Sequence, residues 1–433
     1  MKVLIIHYRV GRTDGVSIEI SAWKEILSKQ KHEVVLASGP VNVGADYVVD
    51  GLEAQLNPPV FELDNEAFGG FKNMTSESWA VTFLANQQKL NNQFTQLINK
   101  VLPDRIIVSN IFSVGENLAA AGALFQTLAI SGISTVAIHH DFYWENPRYR
   151  RPSSPLVEEQ LEKYFPPTGP WLKHACINTL AQKELITRKG IKATLLYDTM
   201  DFSQPAVDSN GDCRALLARS GLAPDDLIVL QATRIVRRKN IELAIDLVSQ
   251  LKEKATQLGK QRVVLVMAGY AEKRDEGYLK LLQDYARALD ITVVHLNEVS
   301  SHPVSDMPAC TLMGIYPYAD IISYPSQAEG FGNQFLEAIH AKKPIVVFEY
   351  PVFKTDIKPL GFEVVSLGDE LSFDSQTGLA KVKPEVIARA AEEVVAILAN
   401  SQKRQQMVEH NFNIGADNFS YQQTGKILTK LLA

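Results

Sequence analysis

Short apolar runs separated by helical segments recur along this chain, and that alternation restricts the fold more than any other feature. The first run, "KVLIIHY" at 2–8, is almost unbroken, as a parallel strand covered on both faces should be. A glycine turn, the amphipathic "VSIEISAWKEILSK" and the run "HEVVLASG" follow, which together spell a βαβ unit. The pattern continues through "DRIIVSN", the alanine-rich "GENLAAAGALFQTLAISG", "STVAIHHDF", "HACINT", a helix containing "AQKELITRKG", and "KATLLYD". A looser segment at 199–226, rich in turn residues, interrupts it and reads as a linker leading into a short helix. A second series then runs from "LIVLQATR" through "RVVLVMAG", "ITVVHLN" and "DIISYPS" to "PIVVF", with helices between the strands and a helical tail.

A chain of 433 residues exceeds what one core usually supports, about 250–300 residues. The expected organisation is an α/β fold of two Rossmann-like parallel-sheet domains, 1–200 and 201–410. Residues 411–433 are expected to form a C-terminal helix packing back on the first domain. A net charge of −5 argues against a nucleic-acid binder, which would carry a broad basic excess. No apolar run reaches the roughly 18 residues of a membrane span, and the opening suits a buried strand better than a signal peptide. Cys176, Cys213 and Cys310 are far apart and form no C-x-x-C pair, so reduced cysteines and a cytoplasmic setting are expected.

Ligands of open parallel sheets bind beyond the carboxyl ends of the strands, and with two sheets the cleft between domains is the default site. In "PSQAEGFGNQFLEAIHAKKPIVVF" at 325–348, Glu329 precedes a Gly-Phe-Gly loop and Glu337 lies in the helix that follows. Glycines let the backbone approach a ligand, and a helix start suits a phosphate. Carboxylates accept hydrogen bonds from sugar hydroxyls through both oxygens. In "ATRIVRRKNIELAIDLV", Arg234 and Lys239 follow a strand and would hold a diphosphate as its charge grows. Arg237 and Arg238 read more as solvated cations, although cations at a helix start oppose its dipole and call for an anionic partner.

"PSQAEGFGNQFLEAIHAKKPIVV" resembles the E-x7-E region of retaining GT-B-fold glycosyltransferases of family 4, with the sucrose-phosphate synthase and glycosylglycerate synthase branch the most similar in pattern. The resemblance runs in order along nearly the whole chain but is dense only in the second half. It implies that Glu329 approaches the donor sugar, Glu337 binds the nucleotide ribose, and Arg234 and Lys239 take the donor diphosphate. Gly330, Phe331, Gly332 and Asn333 would complete the donor loop. In "YRVGRTDGVSIEI" the resemblance assigns Gly15 to the donor phosphates, against the alternative of an ordinary βα turn. His140 and Asp141 match the family's His-Asp pair, with the histidine close to the reacting sugar. Arg12, Asp141, Tyr143, Arg148 and Arg150 are acceptor-side candidates for a small polar or anionic acceptor; exposed loop arginines, or attraction to a membrane surface, are the competing readings. One departure is "LYDTMDF", where only Asp201 matches the family's usual Pro-Asn-Gly-Val-Asp.

The implied reaction is retaining hexosyl transfer from a UDP- or GDP-linked sugar, with cations rather than a metal stabilising the leaving diphosphate and no cofactor required. A GT-B epimerase or hydrolase, or a non-catalytic nucleotide-sugar sensor, is the alternative, and the intact set of Glu329, Glu337, Arg234 and Lys239 favours the transferase.

Overall fold

The computed structural model describes residues 1–11, 14–40, 44–208, 211–296, 299 and 310–433. They divide into two compact units, Met1–Thr199 with Tyr421–Ala433, and Met200–Ser420.

The first unit runs β1 (Lys2–Ile6), α1 (Gly15–Lys29), β2 (Glu33–Ser38), β3 (Tyr47–Val48), α2 (Pro58–Gly69), α3 (Ser76–Val101), β4 (Arg105–Ser109), α4 (Leu118–Ser131), β5 (Thr135–His139), α5 (Pro155–Tyr164), β6 (Leu172–Cys176), α6 (Thr179–Lys189) and β7 (Thr194–Leu195). Its described strands form one parallel sheet in the order β3-β2-β1-β4-β5-β6-β7, with Val3 opposite Arg105 and Leu4 opposite Ile106. The unbroken apolar runs have a structural cause. Leu4, Ile6, Ile106 and Val108 point into a core with α3 and α4. Their neighbours Val3, Ile5 and Ile107 point into a second core with Trp23 and Leu27 of α1. Each such side chain, fully buried, contributes about 1.5–3 kcal/mol, which favours apolar residues on both faces.

The second unit runs α7 (Asp212–Arg219), β8 (Leu227–Gln231), α8 (Ile241–Lys252), β9 (Val263–Met267), α9 (Glu276–Ala288), β10 (Thr292–His295), α10 (Leu312–Ile315), β11 (Ile321–Tyr324), α11 (Asn333–His340), β12 (Ile345–Val347), β13 (Val365–Ser366), the hairpin strands β14 (Ser372–Phe373) and β15 (Ala380–Lys381), α12 (Pro384–Ala399) and α13 (Ser401–Phe419). Its described parallel strands are ordered β10-β9-β8-β11-β12-β13. The last helix, α14 (Tyr421–Leu432), belongs to the first unit, where Leu428, Leu431 and Leu432 close the core around α1. In both sheets the strand order reverses beside the first strand, between β1 and β4 and between β8 and β11. Such a reversal opens a crevice at the strand ends.

Two points differ from the sequence reading. The expectation of three reduced cysteines is corrected: Cys213 and Cys310 form a disulfide with Cα atoms 4.5 Å apart across a separation of 97 residues, and only Cys176 is free, in the core. Packing of α7 beside α10 brings them together, which sequence spacing cannot reveal. Residues 58–101, passed over in the alternation of strands and helices, form α2 and α3. Thr75 and Ser78 cap α3 reciprocally, and Trp79, Phe83, Leu90, Phe94 and Leu97 make its buried stripe. Among the described residues no helix is long and apolar enough to cross a membrane.

Candidate active site

In the second unit the polypeptide leaving β8 and the polypeptide leaving β11 are laced together at the reversal point. Asn240, in a left-handed conformation at φ 47, donates from Nδ2 to the Pro325 carbonyl at 3.1 Å. The Gln327 amide donates to the Arg238 carbonyl at 2.9 Å. On this frame the Arg238 guanidinium bridges the Ala328 carbonyl at 2.6 Å and Glu329 Oε2 at 2.8 Å. Lys239 Nζ donates to the other Glu329 oxygen and stands 5.6 Å above the Tyr324 ring. Side chains of Lys239 and Glu329 are each only 9% exposed.

Burial opposes ionisation of Glu329, but Lys239 and Arg238 outweigh it and hold the carboxyl at about 2. Glu329 is therefore a fixed acceptor at any physiological pH, unable to give a proton. Burial likewise lowers Lys239 below the usual ammonium range, with Glu329 opposing that shift. Arg234 turns toward Glu272 at 3.3 Å and remains 41% exposed. Arg234, Arg238 and Lys239 thus gather three cations around Glu272 and Glu329. Such a cluster suits an anionic ligand.

After Glu329 the loop turns sharply at Gly332, where φ is 143. An added Cβ would lie 2.5 Å from the Tyr350 hydroxyl and 3.0 Å from that of Tyr324, while Tyr350 itself donates to the Phe331 carbonyl at 2.6 Å. Gly332→Ala is therefore expected to destabilise the fold by about 2–3 kcal/mol, read as a lower midpoint in urea unfolding, whereas Asn333→Ala should leave that midpoint nearly unchanged. No side chain caps the start of α11. Glu337, one turn into that helix, accepts from the Tyr316 hydroxyl at 2.6 Å. Burial pushes Glu337 up to about 7, with Tyr316 and Lys239 offsetting it in part.

The first unit presents a second group of residues at its own strand ends. Gly15 opens α1, where the Asp14 carboxylate caps the helix by accepting from the Ser17 amide at 3.2 Å and its hydroxyl at 2.9 Å. His140 follows β5, is 7% exposed and stacks on Trp23 with ring centres 5.7 Å apart. Its amide donates to Asn110 Oδ1 at 2.8 Å, and its Nδ1 lies 3.3 Å from the same oxygen. Burial, reinforced by His7 and opposed by Asp14, lowers His140 to about 3, so its imidazole is neutral. His139 points elsewhere, toward His174 at 2.9 Å.

Arginines of the first unit are engaged by neighbouring groups. Arg148 donates to Asn65 Oδ1 at 2.8 Å, Arg150 to the Trp144 carbonyl at 3.2 Å, and Arg9 lies 3.9 Å from Asp14 and 3.8 Å from Glu53. Arg12 lies outside the described residues. Asp141 is exposed and Tyr143 half-buried. Two neighbours of the expected residues were not singled out from sequence. Arg238 read as a solvated cation; the unfavourable dipole was the available signal, and Glu329 is its anion. Asn110 carries no motif, and a lone asparagine after a strand gives no signal beyond its tolerance of a turn.

Two doubly wound domains, each with polar side chains gathered where the strand order reverses, define the GT-B architecture. A family model for group 1 glycosyl transferases matches residues 214–413. The mannosylglucosylglycerate synthase of Thermotoga maritima is 38% identical over 99% of both chains, and that of Petrotoga mobilis is 36% identical over 97% of this chain and 98% of its own. Among solved structures, sucrose-phosphate synthase from Thermosynechococcus elongatus superposes with a TM-score of 0.64 at 15% identity, covering 99% of this chain and 98% of that one. The chain belongs to the group 1 glycosyltransferases of the GT-B fold, similar to those of family 4.

Proposed function

We propose that this glycosyltransferase moves a mannosyl group from GDP-mannose to a hydroxyl of glucosylglycerate, with retention of anomeric configuration. Two relatives matched end to end are named for a product of that composition, which favours GDP-mannose over UDP-glucose as donor and a small anionic sugar as acceptor. The observation that carries the chemistry is the buried Glu329 clasped by Lys239 and Arg238 at the reversal point of the second sheet.

In this reading Glu329 accepts hydroxyls of the donor hexose, and Glu337 accepts those of the ribose. Lys239, Arg234 and the uncapped start of α11 receive the diphosphate. The bond from the anomeric carbon to the phosphate oxygen breaks with its electron pair going to the diphosphate. The acceptor hydroxyl then forms the new bond on the same face and passes its proton to the departing phosphate. Fixed cations favour charge that grows in the transition state, so activity is expected to persist in EDTA; loss of turnover that Mg²⁺ restores would contradict this assignment. Neutral His140 accepts a hydrogen bond near the reacting carbon and does not serve as a general acid.

The test is incubation of the purified enzyme with GDP-mannose and glucosylglycerate, followed by NMR of the product. An α-linked mannoside, with little free mannose when acceptor is omitted, supports the reading. A β-linkage, or donor breakdown that ignores the acceptor, overturns it.

The position of Glu337 near pH 7 adds a pH dependence. Only its carboxylate accepts from both ribose hydroxyls, so binding works against protonation below pH 7. Between pH 8 and 6, GDP affinity of the wild type should fall relative to Glu337→Gln, approaching about tenfold per pH unit at the acid end. Parallel pH profiles by calorimetry would remove Glu337 from the ribose site.

A further inference from the structure

Asn110 follows β4 directly, is 5% exposed, and holds φ at 58, a conformation that asparagine and glycine tolerate better than other residues. Its backbone is fully engaged: the amide donates to the Ile138 carbonyl at 2.9 Å, and its carbonyl accepts from the Ser113 and Val114 amides at 3.0 Å. The side chain is thus held at a fixed point beside the end of β5, the strand paired with β4.

The hydrogen bonds there dictate their own polarity. The His140 backbone amide can only donate, so the Asn110 atom 2.8 Å from it is the carboxamide oxygen. That oxygen can only accept, so the His140 Nδ1 facing it at 3.3 Å must carry the imidazole hydrogen. The ring is neutral, and its other nitrogen then presents a lone pair. Nε2 is buried and has no hydrogen-bond partner among the described residues. Trp23 stacks on the ring and prevents it from swinging away.

We infer that Asn110 is a positioning residue that locks His140 in the Nδ1–H tautomer, so that Nε2 serves as a hydrogen-bond acceptor for a substrate hydroxyl. The polar groups facing the ring, His7 and Asp14, do not supply this lock: His7 Nδ1 is engaged with the Ser109 carbonyl at 2.9 Å, and Asp14 caps α1. The inference rests on the proposed placement of His140 at the reacting sugar for its catalytic consequence, while the tautomer itself rests on geometry alone.

The test combines spectroscopy with kinetics. In protein labelled with ¹⁵N-histidine, the His140 signals, assigned by their loss in His140→Ala, should show the Nδ1–H form. Asn110→Gly removes the carboxamide and keeps the left-handed backbone available. It should populate the Nε2–H form and lower kcat by about 10–100-fold, with donor KM nearly unchanged. Asn110→Asp, whose oxygen also accepts from both donors, should restore the tautomer and recover more kcat than glycine does. A wild-type ring in the Nε2–H form, or an Asn110→Gly ring still in the Nδ1–H form, overturns the inference. If His140→Ala turns over as fast as wild type, the placement of His140 at the sugar fails instead, and the spectrum alone then decides the tautomer.

Discussion

Glu329→Ala is expected to lower stability by about 3–5 kcal/mol, because it strands a buried ammonium without its counter-charge. Lys239 has a side chain 9% exposed, and its ammonium lies over the Tyr324 ring, so it cannot turn into water as Arg238, at 40% exposure, can. The loss should appear as a drop of about 10 °C in Tm, together with near-complete loss of transfer. Lys239→Met with Glu329→Leu should recover much of the lost stability and none of the activity, since an apolar pair of similar volume fills the same space without charge. If Glu329→Ala melts like wild type, the ion pair is not a fixed frame for the site.

Lys239→Met alone is expected to behave differently. Glu329 keeps Arg238 at 2.8 Å, so the remaining carboxylate is still paired and the fold is less disturbed. The departing diphosphate would lose its buried cation, and kcat should fall by about 10²–10³-fold, the range for removing one fixed donor from a developing anion. The contrast separates structure from chemistry. The acid variant fails in both melting and turnover, whereas the cation variant fails mainly in turnover. A Lys239→Met enzyme within a few-fold of wild-type kcat would mean that Lys239 serves only to hold Glu329.

Much of the architecture was legible because it is local. Apolar runs such as residues 2–8 declare strands buried on both faces, and Leu4 and Val3 do enter opposite cores. Glu329 and Lys239 were each legible from their place after a strand, yet their pairing was not. They lie 90 residues apart in sequence, and only the reversal of strand order between β8 and β11 makes them neighbours. Arg238 shows the limit more sharply. Its repulsion by the helix dipole signalled an anion, but sequence could not say that the anion was Glu329, and part of the case for an anionic ligand thereby became a case for an internal ion pair. The Cys213–Cys310 link and the contact of Asn110 with His140 depend on tertiary packing and leave no trace in spacing. The stripe of α3 was different: Trp79, Phe83, Leu90, Phe94 and Leu97 have helical periodicity, and counting it would have found the helix.

The claim that the Lys239–Glu329 cluster seats a nucleotide diphosphate is tested most directly by calorimetric titration of wild type and Lys239→Met with GDP and with GMP. Wild type should prefer GDP, and the substitution should weaken GDP binding by about 10–100-fold while changing GMP binding far less, so that the preference collapses. An unchanged ratio of the two Kd values in Lys239→Met would contradict the claim.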